Sequence, residues 1–460
     1  MASTRKRPPS DLAARVAAEL ARHVPRGARL TLALSGGVDS IAALDILAGL
    51  ARSHPFALDC LHVNHRISPN AGAWARFARA SARRYRLKCA VRAVDLAPYR
   101  RLGLEGAARA ARYAAFACVR ADFLVLAQHR DDQAETVLLQ LVRGAGVAGL
   151  AGMAAVRTGG GPTVLRPLLG ATRAEIERYA RERSLEWVED ESNADERRAR
   201  NFVRRRVMPL LLELNAGAAA NLARSATHLA EAHELARALA TLDAREAMRG
   251  GRLSPAALAR LPAARARNLL RWTIAEAGLA APDAGRLDEI LRQVVGARAD
   301  AAIRVALDGA EVRRHRDAVW IVAERAAPPR TFRARWTGRP TWHLPELGGT
   351  LTFKATIGGG VAARAFGRGA VEVRLRSGGE RLRPDGRRPR RTLKALLQES
   401  AIPPWERERL PLLYSGGKLV AVPGIGVAAE AAAAAGERGW TVSWVPDRPK
   451  LPKSTKAMIK

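Results

Sequence analysis

The stretch Ser35-Gly36-Gly37-Val38-Asp39-Ser40 decides the fold of the first part of this chain. It follows an apolar run at residues 30–34 and precedes apolar residues at helical spacing from 41 to 50. Two glycines between a strand and a helix let backbone N–H groups approach an anion at the helix N-terminus, where the helix dipole favours negative charge. The serines add hydroxyl donors, and the Asp39 carboxylate suits Mg²⁺ beside a phosphate. The sequence therefore predicts a phosphate-binding loop.

Strand and helix signals alternate on both sides of this loop. The predicted strands cover residues 29–35, 56–64, 88–96 and 122–129, and the predicted helices cover 11–24, 38–53, 71–86, 104–120 and 131–143. This order, with largely apolar strands, predicts an α/β fold: a doubly wound, Rossmann-like parallel sheet with helices on both faces. Ser35, Asn64 and His129 each stand at the carboxyl end of a strand, where such sheets bind ligands, so we expect them in one cleft.

The rest of the 460 residues predicts two further domains. The first domain is expected to end at residue 215, with a flexible glycine-rich loop at 144–161 and a capping box of Thr172 and Glu175 at the start of a helix over 172–185. Residues 216–330 predict a mainly helical middle domain. Residues 340–446 predict a small basic α+β domain, and 447–460 a disordered tail.

The charge of the chain points to a polyanionic partner. The formal net charge is +33, from 77 Lys and Arg against 44 Asp and Glu, which favours nucleic acid over an anionic membrane surface. Three scattered cysteines without a metal-binding spacing indicate a reducing compartment. The sequence has no signal peptide and no apolar run of about 18 residues, so we expect a cytoplasmic protein without a membrane partner. Seven cations in residues 381–394 predict a phosphate-binding surface, although a solvated mobile loop could have the same composition.

Acidic residues open the predicted helix at 131–143. Asp131 is expected as its N-cap, and Asp132 and Glu135 then lie on one face of the first turn. Acids at this position suit the helix dipole, so simple capping is one interpretation. A carboxylate pair that faces a bound nucleotide could instead hold Mg²⁺ or an amine substrate.

A charged stripe precedes this motif. Glu105, Arg109 and Arg112 step by four and three residues along the predicted helix 104–120, which is also the pattern of a solvated, salt-bridged face. The functional interpretation places Arg112 against phosphates, where a guanidinium stabilises the charge that develops on a leaving pyrophosphate.

Five motifs together resemble one family. They are HVNH at 62–65, LGLEGAARAARY at 102–113, HRDDQAET at 129–136, EDESNAD followed by RNFVR within 189–204, and QESAIPPWERERLPLLYSGGKLVAVPGIGV at 398–427. With the SGGxDS loop, they resemble tRNA(Ile)-lysidine synthetase, a member of the PP-loop ATP pyrophosphatases. The chain departs from the family pattern at residues 66–68, which read Arg-Ile-Ser after His65, and at Arg130, where the family usually has an apolar residue.

The resemblance implies ATP-dependent ligation of free L-lysine to C2 of the wobble cytidine in the CAU anticodon of tRNA(Ile), through an adenylylated cytidine. ATP and Mg²⁺ are the implied cofactors, and a homodimer is possible. The implied catalytic residues are Asp39, Arg112, Asp132 and Glu135, with Glu135 as candidate base and Asp39 and Asp132 as metal ligands. ATP is expected at residues 35–40, Asn64 and His65. Further substrate contacts are expected from Glu105, Arg109, His129, Arg200, Asn201 and Arg204, and tRNA contacts from Arg387, Arg388, Arg390, Arg391 and Lys394.

Two alternatives stay open at this point. A tRNA thiolase of the same superfamily that uses a persulfide or a metal cluster needs cysteines beside the ATP site. Cys60, Cys89 and Cys118 fall within predicted strands or a helix instead. A non-catalytic RNA-binding protein that kept the ATP fold would not need the intact loop at 35–40 together with Asp132 and Glu135.

Overall fold

The computed structural model describes residues 12–51, 54–159, 161–191, 195–298, 301, 303–366, 371–384, 389–400 and 402–447. The chain divides into two compact units. Among the described residues, the first unit comprises 12–247 and 262–281, and the second comprises 248–261 and 282–447. Arg387, Arg388 and the predicted tail from residue 448 lie outside the described residues. The predicted domain boundaries remain predictions.

The elements follow the chain in this order. The helices are α1 (Leu12–His23), α2 (Val38–Leu50), α3 (Ala71–Arg84), α4 (Gly103–Ala117), α5 (Arg130–Val142), α6 (Val147–Leu150), α7 (Arg173–Glu182), α8 (Ala199–Phe202), α9 (Met208–Leu214), α10 (Ala218–Ala247), α11 (Pro255–Arg260), α12 (Ala263–Glu276), α13 (Ala284–Gly296), α14 (Ala363–Phe366), α15 (Leu393–Glu399) and α16 (Pro404–Arg407). A π-helical turn, Val203–Val207, joins α8 to α9.

The strands are β1 (Arg29–Ala33), β2 (Ala57–Asn64), β3 (Cys89–Ala93), β4 (Phe123–Val125), β5 (Val156–Arg157), β6 (Thr163–Leu165), β7 (Met248–Arg249), β8 (Arg252–Leu253), β9 (Ile303–Leu307), β10 (Ala310–His315), β11 (Ala318–Ala323), β12 (Arg333–Arg335), β13 (Thr341–Leu344), β14 (Gly349–Ile357), β15 (Val361–Ala362), β16 (Val371–Arg374), β17 (Arg381–Leu382), β18 (Arg391–Thr392), β19 (Leu412–Ser415), β20 (Lys418–Val422), β21 (Gly426–Val427) and β22 (Arg438–Pro446).

The first unit is built on a six-stranded sheet in the order β3-β2-β1-β4-β6-β5. Its strands are parallel except for the short edge strand β5, which runs antiparallel to β6. The direction of strand addition reverses between β1 and β4, and such a switch point opens a crevice at the carboxyl ends of the strands. The predicted α/β fold is confirmed, and the site is expected at this crevice.

Helix α2 is fixed at its centre by an ionic contact. Most of its residues from Val38 to Leu47 are buried, and the side chain of Asp45 is buried with them. Tyr85 and Tyr179 donate their hydroxyls to the Asp45 carboxylate at 2.9 and 2.6 Å, and Arg183 Nε donates at 3.1 Å. These partners come from the ends of α3 and α7, so the helix that carries the glycine loop is joined to two others.

Two local predictions need correction. The N-cap of α5 is His129 and not Asp131, because the Asp132 side chain closes a capping box onto the His129 backbone N–H. Asp131 instead accepts a 2.8 Å hydrogen bond from the backbone N–H of Arg173. The predicted flexible loop at 144–161 contains the short helix α6 and the strand β5, and it returns the chain to the sheet edge.

The second unit consists mainly of antiparallel strands. Its sheets have the orders β7-β8-β11-β10-β9, β12-β16-β19-β20-β21, β13-β14-β22-β15 and β17-β18. A core that includes Leu351, Phe353, Val373, Leu393 and Leu413 joins the last three sheets and α15. The predicted helical middle region is confirmed as α10 to α13, and the predicted α+β class of the C-terminal region is confirmed as well. Among the described residues, no helix is long and apolar enough to cross a membrane.

Candidate active site

A single cavity of about 1220 Å³ lies at the carboxyl ends of β1, β2 and β4. It is bounded by the glycine loop, the start of α5, the cavity-facing side of α4 and the segment around α8. The structure brings almost all predicted site residues of the first unit to this cavity, with Gly36 absent from its lining. The lining includes Ser35, Gly37, Val38, Asp39, Ser40, Asn64, His65, Glu105, Arg109, Arg112, His129, Asp132, Glu135, Arg200, Asn201 and Arg204.

Hydrogen bonds of Ser40 fix the conformation of the glycine loop. Ser40 Oγ accepts from the Gly36 backbone N–H at 3.0 Å and donates to the Gly37 carbonyl at 2.9 Å. Gly36 has φ +98°, a left-handed conformation that favours glycine, and a Cβ there would lie 2.9 Å from Val188 Cγ2. The loop therefore leads into the N-terminus of α2 in a shape that a larger residue would disturb.

Asp39 stands at the first turn of α2, and its two carboxylate oxygens differ in their hydrogen bonding. Arg173 Nη1 donates to Asp39 Oδ2 at 3.0 Å, whereas Oδ1 is buried and has no hydrogen-bond partner among the described residues. Burial raises the pKa of Asp39, although the charges of His129 and Arg173 act in the opposite direction. A buried carboxylate oxygen without a donor is a suitable ligand for a hard cation.

His129 lies at the centre of three carboxylates. Its Nε2 is 3.7 Å from Asp39 Oδ1 and 3.5 Å from Asp132 Oδ2, and its Nδ1 is 3.5 Å from Asp131 Oδ2. Burial alone would lower the pKa of His129, but the surrounding carboxylates outweigh it and raise the pKa above the ordinary value. The imidazole thus lies between the loop aspartate and the acids of α5.

The acid pair of α5 is bound by two arginines. Arg200 donates from Nε to Glu135 Oε2 at 2.7 Å and from Nη2 to Asp132 Oδ1 at 2.9 Å. Arg204 donates from Nε to Glu135 Oε1 at 2.5 Å and from Nη2 to Asp132 Oδ1 at 3.2 Å. Burial alone would raise the pKa of Asp132, but His129 and these guanidinium groups outweigh it and lower the pKa. These four side chains, Asp132, Glu135, Arg200 and Arg204, form what we call the floor cluster.

The floor cluster shows what Arg200 and Arg204 contact in this structure. The sequence predicts that both arginines contact substrate. In this structure they bind Asp132 and Glu135, which were expected to bind a substrate cation. Asn201, between them, donates from Nδ2 to the backbone carbonyl of Asp195 at 3.0 Å. Contact between these residues and substrate remains a prediction.

Arg112 and His65 also line the cavity. The Arg112 side chain is exposed to the cavity, and the surrounding protein lowers the pKa of its guanidinium, which still remains charged at neutral pH. Burial and the charge of Arg112 lower the pKa of His65 to about 4, so the imidazole is neutral. Its Nδ1 is buried without a hydrogen-bond partner among the described residues. A charged guanidinium and a neutral imidazole therefore line the cavity together with Asn64.

Sequence reasoning missed a tyrosine with several arginines around it. Tyr113 is buried, and the guanidinium groups of Arg109 and Arg157 lie 5.3 and 5.4 Å from its ring centre. Burial alone would raise the pKa of Tyr113, but Arg109, Arg166 and two further arginines lower it. Arg109 therefore packs on an aromatic face as part of the predicted stripe. Glu105, one turn earlier, is exposed at the cavity edge.

The second unit contains the described part of the predicted tRNA-binding loop. Arg390 and Lys394 are exposed. Arg391 Nη1 donates to Glu399 Oε2 at 2.8 Å, so its charge is balanced within the unit. Arg390 and Lys394 are therefore the better candidates for phosphate contacts among the described residues of this loop.

These features define a class of protein: an α/β nucleotide-binding enzyme of the PP-loop type, with its cavity at the sheet switch point. The family model described as PP-loop domain matches residues 10–211. The models described as TilS substrate binding domain and TilS substrate C-terminal domain match residues 253–320 and 371–444.

Curated relatives extend this match over nearly the whole chain. The chain is 38% identical to the tRNA(Ile)-lysidine synthase of Nitrosomonas europaea, over 97% of this chain and 98% of the relative. It is 42% identical to that of Azoarcus sp. strain BH72, over 91% and 92%, and 41% identical to that of Ralstonia nicotianae, over 91% and 92%. The chain belongs to the tRNA(Ile)-lysidine synthase family, which confirms the resemblance.

A solved structure is a more distant match. The U34-tRNA thiolase NcsA from Methanococcus maripaludis, with its [4Fe-4S] cluster, is 19% identical and covers 48% of this chain and 78% of its own, with a TM-score of 0.41. This similarity is too remote to bear on the function of the chain.

Proposed function

We propose that the cavity of the first unit joins the ε-amine of free lysine to C2 of the wobble cytidine in a tRNA(Ile) with a CAU anticodon, using ATP. The chain is a ligase of a tRNA-modifying family with an ATP-using PP-loop domain. One observation carries the assignment of the site: the glycine loop and the acid pair of α5 face the same cavity. That cavity exceeds the ~300–1,000 Å³ of typical small-molecule pockets, which suits two substrates bound together.

In the first step, the C2 carbonyl oxygen of the cytidine attacks the α-phosphorus of ATP, and pyrophosphate leaves. The backbone N–H groups at the N-terminus of α2 would hold the phosphates, because a helix N-terminus favours anions. The Gly36 and Gly37 N–H groups donate to Ser40 and Ser35 and fix the loop that leads into this helix. Arg112, which lines the same cavity, would stabilise the negative charge that develops on the leaving group. The neutral His65 and Asn64 would contact the nucleoside part of ATP.

In the second step, the ε-amine of lysine attacks C2 and expels AMP, and the amine loses a proton. Lysine has an ordinary pKa of about 10.4, so this step needs a base close to the amine. Glu135 is our candidate, with Asp132 beside it to bind the ammonium group. Both oxygens of Glu135 accept from guanidinium groups in this structure, so lysine would have to displace Arg200 or Arg204 from the carboxylate.

The chain has carboxylate oxygens that are suitable ligands for Mg²⁺. Oδ1 of Asp39, which accepts no hydrogen bond from the described residues, is a hard oxygen ligand at the glycine loop, and Asp132 is the second candidate. Within the described residues, no group of three or more His, Cys, Asp and Glu side chains could hold a metal. Mg²⁺ usually takes one or two carboxylates and completes its shell with phosphates and water. When bound, it would neutralise charge on the triphosphate.

A homodimer is part of the proposal. Leu235, Leu239 and Leu242 are exposed along one face of α10 at helical spacing, and water-exposed apolar rows of this kind favour association. Sedimentation of Leu235→Gln/Leu242→Gln should show loss of the dimer, whereas an unchanged dimer would contradict this surface. We place the enzyme in the cytoplasm.

The direct test combines ATP, Mg²⁺, labelled lysine and a tRNA(Ile) transcript with the CAU anticodon. We expect label on the RNA together with release of AMP and pyrophosphate, and no transfer of label would refute the proposal. Asp39→Asn should abolish pyrophosphate release but leave tRNA binding nearly unchanged. Asp317→Asn, which alters an exposed turn aspartate of the second unit, is the matched control and should keep full activity.

A further inference from the structure

The oxygen and the nitrogen of the Gln128 side-chain amide differ in their hydrogen bonding. It lies three residues beyond the end of β4, directly before His129, and lines the cavity. Its carbonyl oxygen Oε1 accepts a 2.5 Å hydrogen bond from Arg166 Nε. Among the residues that the structure describes, its amide nitrogen Nε2 has no hydrogen-bond partner.

Arg166 determines which end of this amide faces the cavity. The Arg166 side chain is only 2% exposed, and its Nη1 donates to the Ala154 carbonyl at 2.7 Å. A guanidinium group has donors and no acceptor, so only the oxygen of Gln128 can face it. The NH₂ group must therefore point away from Arg166, and rotation of the amide by 180° would set donor against donor.

A second glutamine shows the contrast. Gln133, one turn into α5, donates from Nε2 to the Met153 carbonyl at 3.0 Å and accepts from the Met153 backbone N–H at 2.7 Å. Both ends of that amide are satisfied within the protein, and Gln133 does not line the active-site cavity. Gln128 thus has a fixed donor that the protein leaves available to a ligand.

The position of Gln128 indicates which substrate would accept a hydrogen bond from its amide. Asn64 and His65 end β2 on one side of β1, and Gln128 follows β4 on the other side. ATP phosphates over the glycine loop would lie between these two sides. The base that attacks ATP and then meets the lysine amine must lie between that loop and the acid pair of α5, which is the side of Gln128.

We propose that Gln128 is a specificity-determining residue that donates its amide N–H to N3 of the wobble cytosine, and that Arg166 is the positioning residue that fixes this donor. Cytosine N3 is an acceptor, whereas uracil carries a hydrogen on N3. A donor that cannot rotate would pair with cytosine and oppose uracil. This inference rests on the function proposed above.

The test compares transcripts that differ only in C or U at the wobble position. Gln128→Glu keeps the oxygen that faces Arg166, as an ion pair, but presents an acceptor to the cavity instead of a donor. Gln128→Met keeps the length of the side chain and removes both the hydrogen-bond donor and the acceptor. We expect the C-over-U ratio of kcat/KM for pyrophosphate release to fall at least tenfold in Gln128→Glu, and less in Gln128→Met, with KM for ATP unchanged.

Arg166→Met provides the test of positioning, because it removes the guanidinium donor to Gln128 and keeps a side chain of similar length. It frees the amide to rotate, so the C-over-U ratio should fall at least threefold while thermal unfolding shows a folded chain. A ratio that stays at the wild-type value in Gln128→Glu overturns the inference. So does a rise in KM for ATP without a change in the ratio, which would assign the donor to adenine. If wild-type protein releases no pyrophosphate with either transcript, the proposed function has failed instead.

Discussion

The floor cluster predicts that Glu135→Gln destabilises the first unit even without substrate. Glu135 is 1% exposed, and its two oxygens accept from Arg200 at 2.7 Å and from Arg204 at 2.5 and 3.1 Å. Glutamine has nearly the same volume but carries one acceptor and one NH₂ donor. One of the two positions would therefore set an amide N–H against a guanidinium N–H.

The expected loss of stability follows from the hydrogen bonds that Glu135→Gln removes and from those that remain. A hydrogen bond between charged groups contributes about 1.5–3 kcal/mol, and at least one such bond is replaced by a donor–donor contact. Both arginines keep Asp132, and they are 25% and 37% exposed, so water offsets part of the loss. We therefore expect a loss of about 2–4 kcal/mol, somewhat below the ~3–5 kcal/mol typical of a broken buried ion pair.

Hydrogen exchange read out by peptide is the suitable assay, because the chain has two units and need not unfold in a single transition. Amides of α5 and α8 should lose protection in Glu135→Gln, and amides of the second unit should not. The matched control is Glu177→Gln. Glu177 also accepts from two arginines, Arg173 and Arg181, but it is 31% exposed, and its loss should cost less than about 1 kcal/mol. If Glu135→Gln changes protection no more than this control, the floor cluster does not stabilise the unit as inferred.

Three further predictions concern the loop, the helix behind it and the second unit. Gly36→Ala should raise KM for ATP, because φ of +98° and the 2.9 Å approach to Val188 Cγ2 would strain the loop, and an unchanged KM would argue against phosphate binding there. The pKa of Asp45 lies below its ordinary value of 3.8 because hydrogen bonds outweigh burial, so its stabilising contribution is complete above that value and is lost as pH falls through the lower folded pKa. Urea unfolding at pH 7 and pH 3 should show this acid-side loss in wild type and a smaller one in Asp45→Asn. Arg390→Ala/Lys394→Ala should weaken tRNA binding and flatten its salt dependence, and an unchanged slope in filter binding would exclude this loop from the interface.

The sequence predicted the sheet because its signals are local. Apolar strands of the first unit alternate with helical patterns, and their predicted ends fall within a few residues of the observed ones. The capping box of α7 formed as expected, with Thr172 Oγ1 accepting from the Glu175 N–H at 3.1 Å. A box of this kind needs only residues three apart, so its chemistry is visible in the sequence.

The contacts that the sequence could not show join distant segments. Asp131 has a side chain suited to an N-cap, but its carboxylate instead accepts a hydrogen bond from the backbone N–H of Arg173, 42 residues away. Arg200 reaches Glu135 across 65 residues, and Arg166 reaches Gln128 across 38. Composition identifies such residues as charged or polar, but only the fold decides which opposite charge or amide each one meets.

The floor cluster has a consequence for how RNA finds this enzyme. Two carboxylates and two guanidinium groups cancel, so the floor cluster itself presents almost no net charge to an approaching anticodon. Long-range attraction must then come from the arginine-rich exterior, where dissolved ions screen it over about 8–10 Å. Added salt should therefore slow the capture of tRNA far more than it slows turnover of tRNA already bound.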